Sequence, residues 1–126
     1  VTRTTRSIGH NWEEFAAQQV TAAGLQILDR RYTCRLGEID LVATEGNTLV
    51  FIEVRYRSSA GFGDAAASVT RHKQRRITNA VRHYLMRNPK YSEYPIRMDV
   101  IALEANRHAG AGKPDVRWIR AAFDAH

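Results

Sequence analysis

The apolar positions of this chain change period along its length, and the changes mark its elements. Trp12, Phe15, Ala16, Val20 and Ala23 recur at helical spacing. Asn11 is in position to act as N-cap with Glu14 as its capping-box partner, and Gly24 closes the segment. Three strand-like segments follow, Leu25 to Arg31, Glu38 to Thr44 and Thr48 to Arg57, the last two separated by the hairpin-sized turn Glu45-Gly46-Asn47. The spacing next predicts a helix from about Thr70 to Arg87, with Ile77, Ala80, Val81, Tyr84 and Leu85 as the stripe of a helix lying on a sheet and Pro89 as its stop. Ile96 to Leu103 reads as a fourth strand and Val116 to Ile119 as a short fifth. The order αβββαβ predicts a mixed α/β sheet flanked by helices, and a doubly wound fold is excluded.

No repeat or linker interrupts residues 1–126, so one domain is expected, with residues 1–9 as a flexible arm and a looser patch near Ala105 to Lys113. With 126 residues, of which 44% are hydrophobic and 25% charged, the chain can build a core without staples. No run is long enough for a membrane span, and the first residues lack the apolar core of a signal peptide, so a cytoplasmic protein with no membrane partner is expected. The single cysteine, Cys34, excludes an internal disulfide and a structural zinc cluster and reads as a packing residue.

Charge changes this picture through its distribution. The net +6 conceals a first stretch, residues 1–69, with seven Arg/Lys against eight Asp/Glu, and a second, residues 70–126, with twelve against five. Arg71, Lys73, Arg75, Arg76, Arg82, Arg87 and Lys90 all lie between Thr70 and Lys90, where no acid occurs. Arg71, Arg75 and Arg82 project along one flank of the predicted helix and Arg76 and Arg87 along the other, so a groove between helix and sheet suits a phosphate backbone. The alternative is a merely solvated helix face. Aromatic stacking platforms are not evident, which favours duplex or branched DNA over single strands.

The run LVFIEVRYR is apolar on both faces, as a central strand is, and charge within it needs a reason. A period of two puts Leu49, Phe51, Glu53, Arg55 and Arg57 on one face. Strict alternation also puts Glu38, Asp40 and Val42 of the preceding strand together, so acids of GEID can meet Glu53 across the hairpin. Converging carboxylates beside a cation suit a divalent metal such as Mg²⁺. The alternative is a cross-strand ion pair of Asp40 with Arg55 or Arg57. On the first helix Glu13 falls at the edge of the apolar stripe and Glu14 points to solvent. Lys73 falls at the edge of the sheet-facing stripe, where it either supplies an amine to the site or snorkels. Asp99 reads as the structural partner of Arg97 or of a helix residue more than as a catalytic acid. His72 and His83 lie in the basic helix, in reach of phosphate. Gly61, Gly63 and Ala66 spell a dinucleotide fingerprint that hairpin-joined strands and a basic downstream segment argue against.

GEIDLVA followed by LVFIEVRYRS, together with WEEFAA, FGDAAASVTRHKQRR and RMDVIAL, resembles the bacterial YraN-like family of uncharacterised proteins. That family belongs to the PD-(D/E)xK, restriction-endonuclease-like nuclease superfamily, which includes Holliday-junction resolvase-like nucleases. The resemblance covers most of the chain and implies a restriction-endonuclease-like αβββαβ core. It further implies Mg²⁺- or Mn²⁺-dependent hydrolysis of DNA phosphodiester bonds, on branched or duplex substrates and by a homodimer in many resolvase-like members; the choice of DNA over RNA stays open. It matches Asp40 and Glu53 to the metal-binding acids, the Val54 carbonyl to an extra ligand and Glu13 to the first-helix acid. The pattern has Lys where this chain has Arg55. Arg is always protonated and cannot act as general base, so Arg55 is left to stabilise charge. Arg57, Arg71, Lys73, Arg75, Arg76 and Arg82 are expected to hold phosphates. The departure at Arg55 leaves two readings, a working metal-dependent nuclease or a nucleic-acid binder that has lost its chemistry.

Overall fold

The computed structural model describes residues 5–57, 68–104 and 114–124, with side chains from Trp12 onward and excepting Arg57. Two helices, α1 (Thr5–Ala22) and α2 (Arg71–Arg87), pack on a sheet of β1 (Gln26–Cys34), β2 (Gly37–Glu45), β3 (Thr48–Arg57), β4 (Ile96–Glu104) and β5 (Asp115–Phe123). The spatial order of the strands is their chain order. β3 and β4 are parallel, joined by the crossover that contains α2, and every other neighbouring pair is antiparallel. This is an α/β fold with a mixed sheet, consistent with a restriction-endonuclease-like core. No helix among the described residues is long and apolar enough to cross a membrane.

The sheet is buried on both faces, which explains why β3 is apolar at consecutive positions. Leu49 and Phe51 join Ile77, Ala80, Val81 and Tyr84 of α2 in one core, and Val50 and Ile52 join Ala16, Ala17 and Val20 of α1 in the other. The α2 stripe is therefore the expected one, with Leu85 only partly buried. Thr70 caps this helix, its side chain accepting the Lys73 backbone N–H at 3.1 Å. Arg87 is its last residue, and Pro89 opens a 3-10 turn to Tyr91. In the β2–β3 hairpin Gly46 takes φ +59, a conformation that suits glycine at the first position of a two-residue turn.

The first helix departs from expectation. It begins at Thr5, so residues 5–9 belong to it and not to an arm, and Asn11 is an interior residue and not its N-cap. A helical apolar period continues upstream through Ile8, four residues before Trp12, and that continuity outweighs the local capping signal. At the other end Gly24 closes the helix with φ +93, but Ala17 is buried where Ala23 was expected to be. β5 is also longer than four residues, because pairing along β4 extends it through Met98↔Phe123 across a bulge. The Gly61, Gly63 and Ala66 pattern and the Ala105 to Lys113 patch lie outside the described residues.

One close approach fixes the relation of α2 to the sheet. A Cβ on Gly37 would lie 1.8 Å from the backbone oxygen of Arg76, so only glycine lets the helix come this near β2. The first turn of α2, and Lys73 with it, is thereby set beside the ends of β2 and β3.

Candidate functional site

The chemistry-bearing residues gather where β2 parts from β3. The register recorded between these strands ends at Leu41↔Ile52. One residue further, the Asp40 side chain takes over the pairing, with Oδ2 accepting the Val54 backbone N–H at 2.7 Å. The alternation of β2 slips at this point. Ile39 lies in the α2-side core with Val42, while Leu41 lies in the α1-side core. Strict period two would have grouped Ile39 with Leu41, so the expectation that Glu38, Asp40 and Val42 share a face by simple alternation is corrected. The physical cause is that the strand leaves its partner and a carboxylate replaces a backbone acceptor. In an extended strand the N–H and C=O of one residue leave toward the same side, so the Val54 carbonyl is directed to this gap as well.

Glu53 stands next to Asp40 and is only 4% exposed. Its Oε1 is buried without a hydrogen-bond partner among the described residues. Burial, and then the negative charge of Asp40, push the Glu53 carboxyl up to about 8. Burial also raises Asp40, against the Val54 hydrogen bond that favours its ionised form. An orphaned oxygen on buried Glu53 beside the half-buried Asp40, two carboxyls that repel once both are ionised, is a donor set that a hard divalent cation satisfies. Asp40 and Glu53 thus fit Mg²⁺ or Mn²⁺. Among the described residues, however, no three His, Cys, Asp or Glu side chains converge on one point, so Glu13 does not complete the set here.

Glu13 is tied to Arg31 beside Asp40. Its carboxylate accepts from Arg31 Nε at 2.5 Å, at the rim of a cleft of about 240 Å³ that Glu13, Arg31, Thr33, Glu38, Ile39 and Asp40 line together. The neighbouring acid Glu14 pairs with Arg30. Glu13 therefore borders Asp40 across the sheet edge, and its charge raises Asp40 further.

Two cations reach the second oxygen of Glu53. Arg55 Nη1 lies 3.8 Å from Oε2, and Arg55 also donates to the Ser68 carbonyl at 3.4 Å. Arg55 therefore turns to Glu53 and not to Asp40. Lys73 Nζ lies 3.6 Å from the same Oε2 and 3.5 Å from Glu38 Oε1. Sequence spacing placed Lys73 at the edge of a stripe and left open whether it supplies an amine to the site or snorkels. The crossover brings its amine onto the acid pair, where the resemblance puts a lysine and this chain has Arg55.

The other basic residues of α2 divide as their wheel positions require. Arg71, Arg75 and Arg82 are exposed and Arg76 is half-buried. Arg71 and Arg75 line a cleft of about 240 Å³ with Gln74, Thr78 and Asp124. The side chain of Arg57 lies outside the described residues. Asp99 is fully buried and fully engaged: it accepts from Arg97 at 2.9 and 3.0 Å, from Trp118 Nε1 at 2.9 Å and from the Ala121 N–H at 3.0 Å. It is structural, as expected. His83 hydrogen-bonds Tyr32, His72 is exposed, and Cys34 packs against the α2-side core.

The sequence model of the uncharacterised protein family UPF0102 matches residues 12–103, a span that includes Asp40, Glu53, Arg55 and Lys73. The chain belongs to UPF0102. This is the YraN family that its motifs resemble. A UPF0102 protein of Methylococcus capsulatus is 46% identical over 117 residues, covering 93% of this chain and 90% of its own. One from Alcanivorax borkumensis is 41% identical over 121 residues, 96% of this chain and 94% of the relative. A third, from Saccharophagus degradans, is 45% identical over 115 residues, 91% of each chain. UPF0102 relatives thus match nearly end to end, and their names carry no activity.

Proposed function

We propose that this UPF0102 protein is a cytoplasmic, metal-dependent nuclease that hydrolyses phosphodiester bonds of DNA, on duplex or branched substrates. The observation that carries the reading is the Asp40–Glu53 pair, with buried Glu53 and its unpartnered oxygen, facing Lys73 at the first turn of an acid-free basic helix. Asp40, Glu53 and the Val54 carbonyl are the groups that would hold Mg²⁺ or Mn²⁺. Such an ion supplies charge neutralisation and an acidified water. Lys73 and Arg55 present positive charge where a phosphate oxygen gains negative charge, and Arg55 does so without ever taking a proton. Arg71, Arg75, Arg76 and Arg82 hold the flanking backbone.

A second reading, nucleic-acid binding without hydrolysis, draws on a specific observation: no third acid joins Asp40 and Glu53 among the described residues. The test is incubation of the purified protein with supercoiled, linear and four-way-junction DNA, and with RNA, in Mg²⁺ or Mn²⁺. Cleavage abolished by Asp40→Ala supports the nuclease. A salt-dependent mobility shift without cleavage supports the binder, and absence of DNA affinity at low salt removes both. A mass measurement in the same buffers reads whether the active species is a homodimer.

A further inference from the structure

Arg31 is unusual among the residues around the acid pair. It has φ 53, a left-handed conformation that a non-glycine residue adopts at a cost, and it adopts it inside a strand. In the β1–β2 register it falls between Arg30↔Leu41 and Tyr32↔Ile39, opposite Asp40. Its guanidinium reaches back to α1 and takes the Glu13 carboxylate at 2.5 Å, on the rim of the cleft that Asp40 also lines. The side chains of this pair are 40% and 26% exposed, so water and salt weaken it and an incoming anion can compete for the cation. Phosphate takes arginine in a two-pronged fork as carboxylate does, so a phosphodiester can replace Glu13 as its partner.

We propose that Arg31 is a substrate-released latch on Glu13. In the free protein it withholds the third carboxylate from Asp40 and Glu53. When a phosphodiester of the substrate draws Arg31 away, Glu13 is freed toward Asp40 and completes the cation site. The idea rests on the metal-dependent reading above and adds to it an order of events: nucleic acid first, tight metal binding second. It accounts together for the strained arginine, the misplaced Glu13 and the two-acid set left at the sheet.

The experiment is Mn²⁺ titration by calorimetry of the full chain without DNA, comparing wild type, Arg31→Gln, Glu13→Gln and the double variant, with circular dichroism to check folding. Arg31→Gln is expected to bind Mn²⁺ at least about five-fold more tightly than wild type, the factor that roughly 1 kcal/mol of ion pairing represents. Glu13→Gln and the double variant are expected to bind no more tightly than wild type. A 20-mer duplex added to wild type is expected to reproduce the gain, and added to Arg31→Gln to give little more. Equal Mn²⁺ affinity of wild type and Arg31→Gln, with binding still lost in Asp40→Ala, overturns the latch and leaves the metal site standing. Absence of Mn²⁺ binding in every variant, with or without DNA, overturns both. Should Arg31→Gln fail to fold, Arg31→Asn replaces it, since asparagine tolerates the left-handed backbone and removes the cation; unchanged affinity there overturns the latch as well.

Discussion

Glu53→Gln will stabilise the metal-free protein at alkaline pH and leave it unchanged under acid conditions. The carboxyl of Glu53 is raised from its ordinary value of 4.5 to about 8, first by burial and then by Asp40. A folded-state value above the unfolded one means that the native chain holds a proton that the unfolded chain has released. The associated stability is whole below about pH 4.5, declines as pH rises, and is gone above about 8. Each pH unit in that interval is worth about 1.4 kcal/mol, so the variant gains on the order of 5 kcal/mol over wild type by pH 9. That is a large share of the 5–15 kcal/mol that holds a domain of this kind together. The attractions of Lys73 and Arg55 for the ionised group already limit the rise. Urea unfolding at half-unit steps from pH 4.5 to 9, in EDTA, reads the difference as a widening gap between midpoints. Parallel curves for the two proteins, or a variant less stable at pH 9, would refute the account of Glu53 as a carboxyl whose burial outweighs the pull of Lys73 and Arg55. Saturating Mn²⁺ at pH 8 to 9 should restore wild type and leave Glu53→Gln little changed, because a bound cation favours only the ionised acid.

Lys73→Ala should lower the rate of DNA cleavage by about 10²-fold with a smaller change in KM, and Lys73→Arg should recover part of it, as expected of a cation facing the reacting phosphate; an Arg55→Ala loss larger than that of Lys73→Ala in single-turnover kinetics would reverse the assignment. Changing both Arg71 and Arg75 to Ala should reduce the slope of log affinity against log salt by roughly 1 to 2, measured by fluorescence anisotropy on duplex DNA. Gly37→Ala should destabilise the fold by about 1–3 kcal/mol or more, read by thermal unfolding, since the new Cβ meets backbone at 1.8 Å and no rotamer relieves it. Asp99→Asn should cost about 1–3 kcal/mol by weakening the charged hydrogen bonds from Arg97, which keeps Glu45 as its other charge partner, and it should do so equally in the presence and absence of metal.

Several parts of this molecule follow from sequence alone because they depend on local spacing. β3 was legible from Thr48 to Arg57 without error, since apolar residues on both faces mark a central strand whatever surrounds it. The buried face of α2, the glycine stop of α1 and the turn at Gly46 are local in the same sense. So is the concentration of positive charge between Thr70 and Lys90. Asp40 and Glu53 emerged as partners because a hairpin fixes which residues stand across from one another. The start of α1 was misread because a good capping residue and a continuing helical period competed, and only packing decides between them.

What lay beyond the sequence is everything set by contact between distant segments. The slip of β2 at Asp40 depends on where that strand parts from β3, and no alternation count reveals it. Glu13 carries the right chemistry at the right helical position, yet its carboxylate pairs with Arg31, whose left-handed backbone conformation no residue pattern announces. Lys73 lies twenty residues from Glu53 in the chain. It reaches Glu53 because α2 crosses over to a parallel strand and rests its backbone on Gly37. Residue types and their local periods determined which groups this protein has and which element bears each. Register, crossover and close approach decided which of those groups meet, because a hydrogen bond or an ion pair is set by angstroms in space and not by positions along the chain.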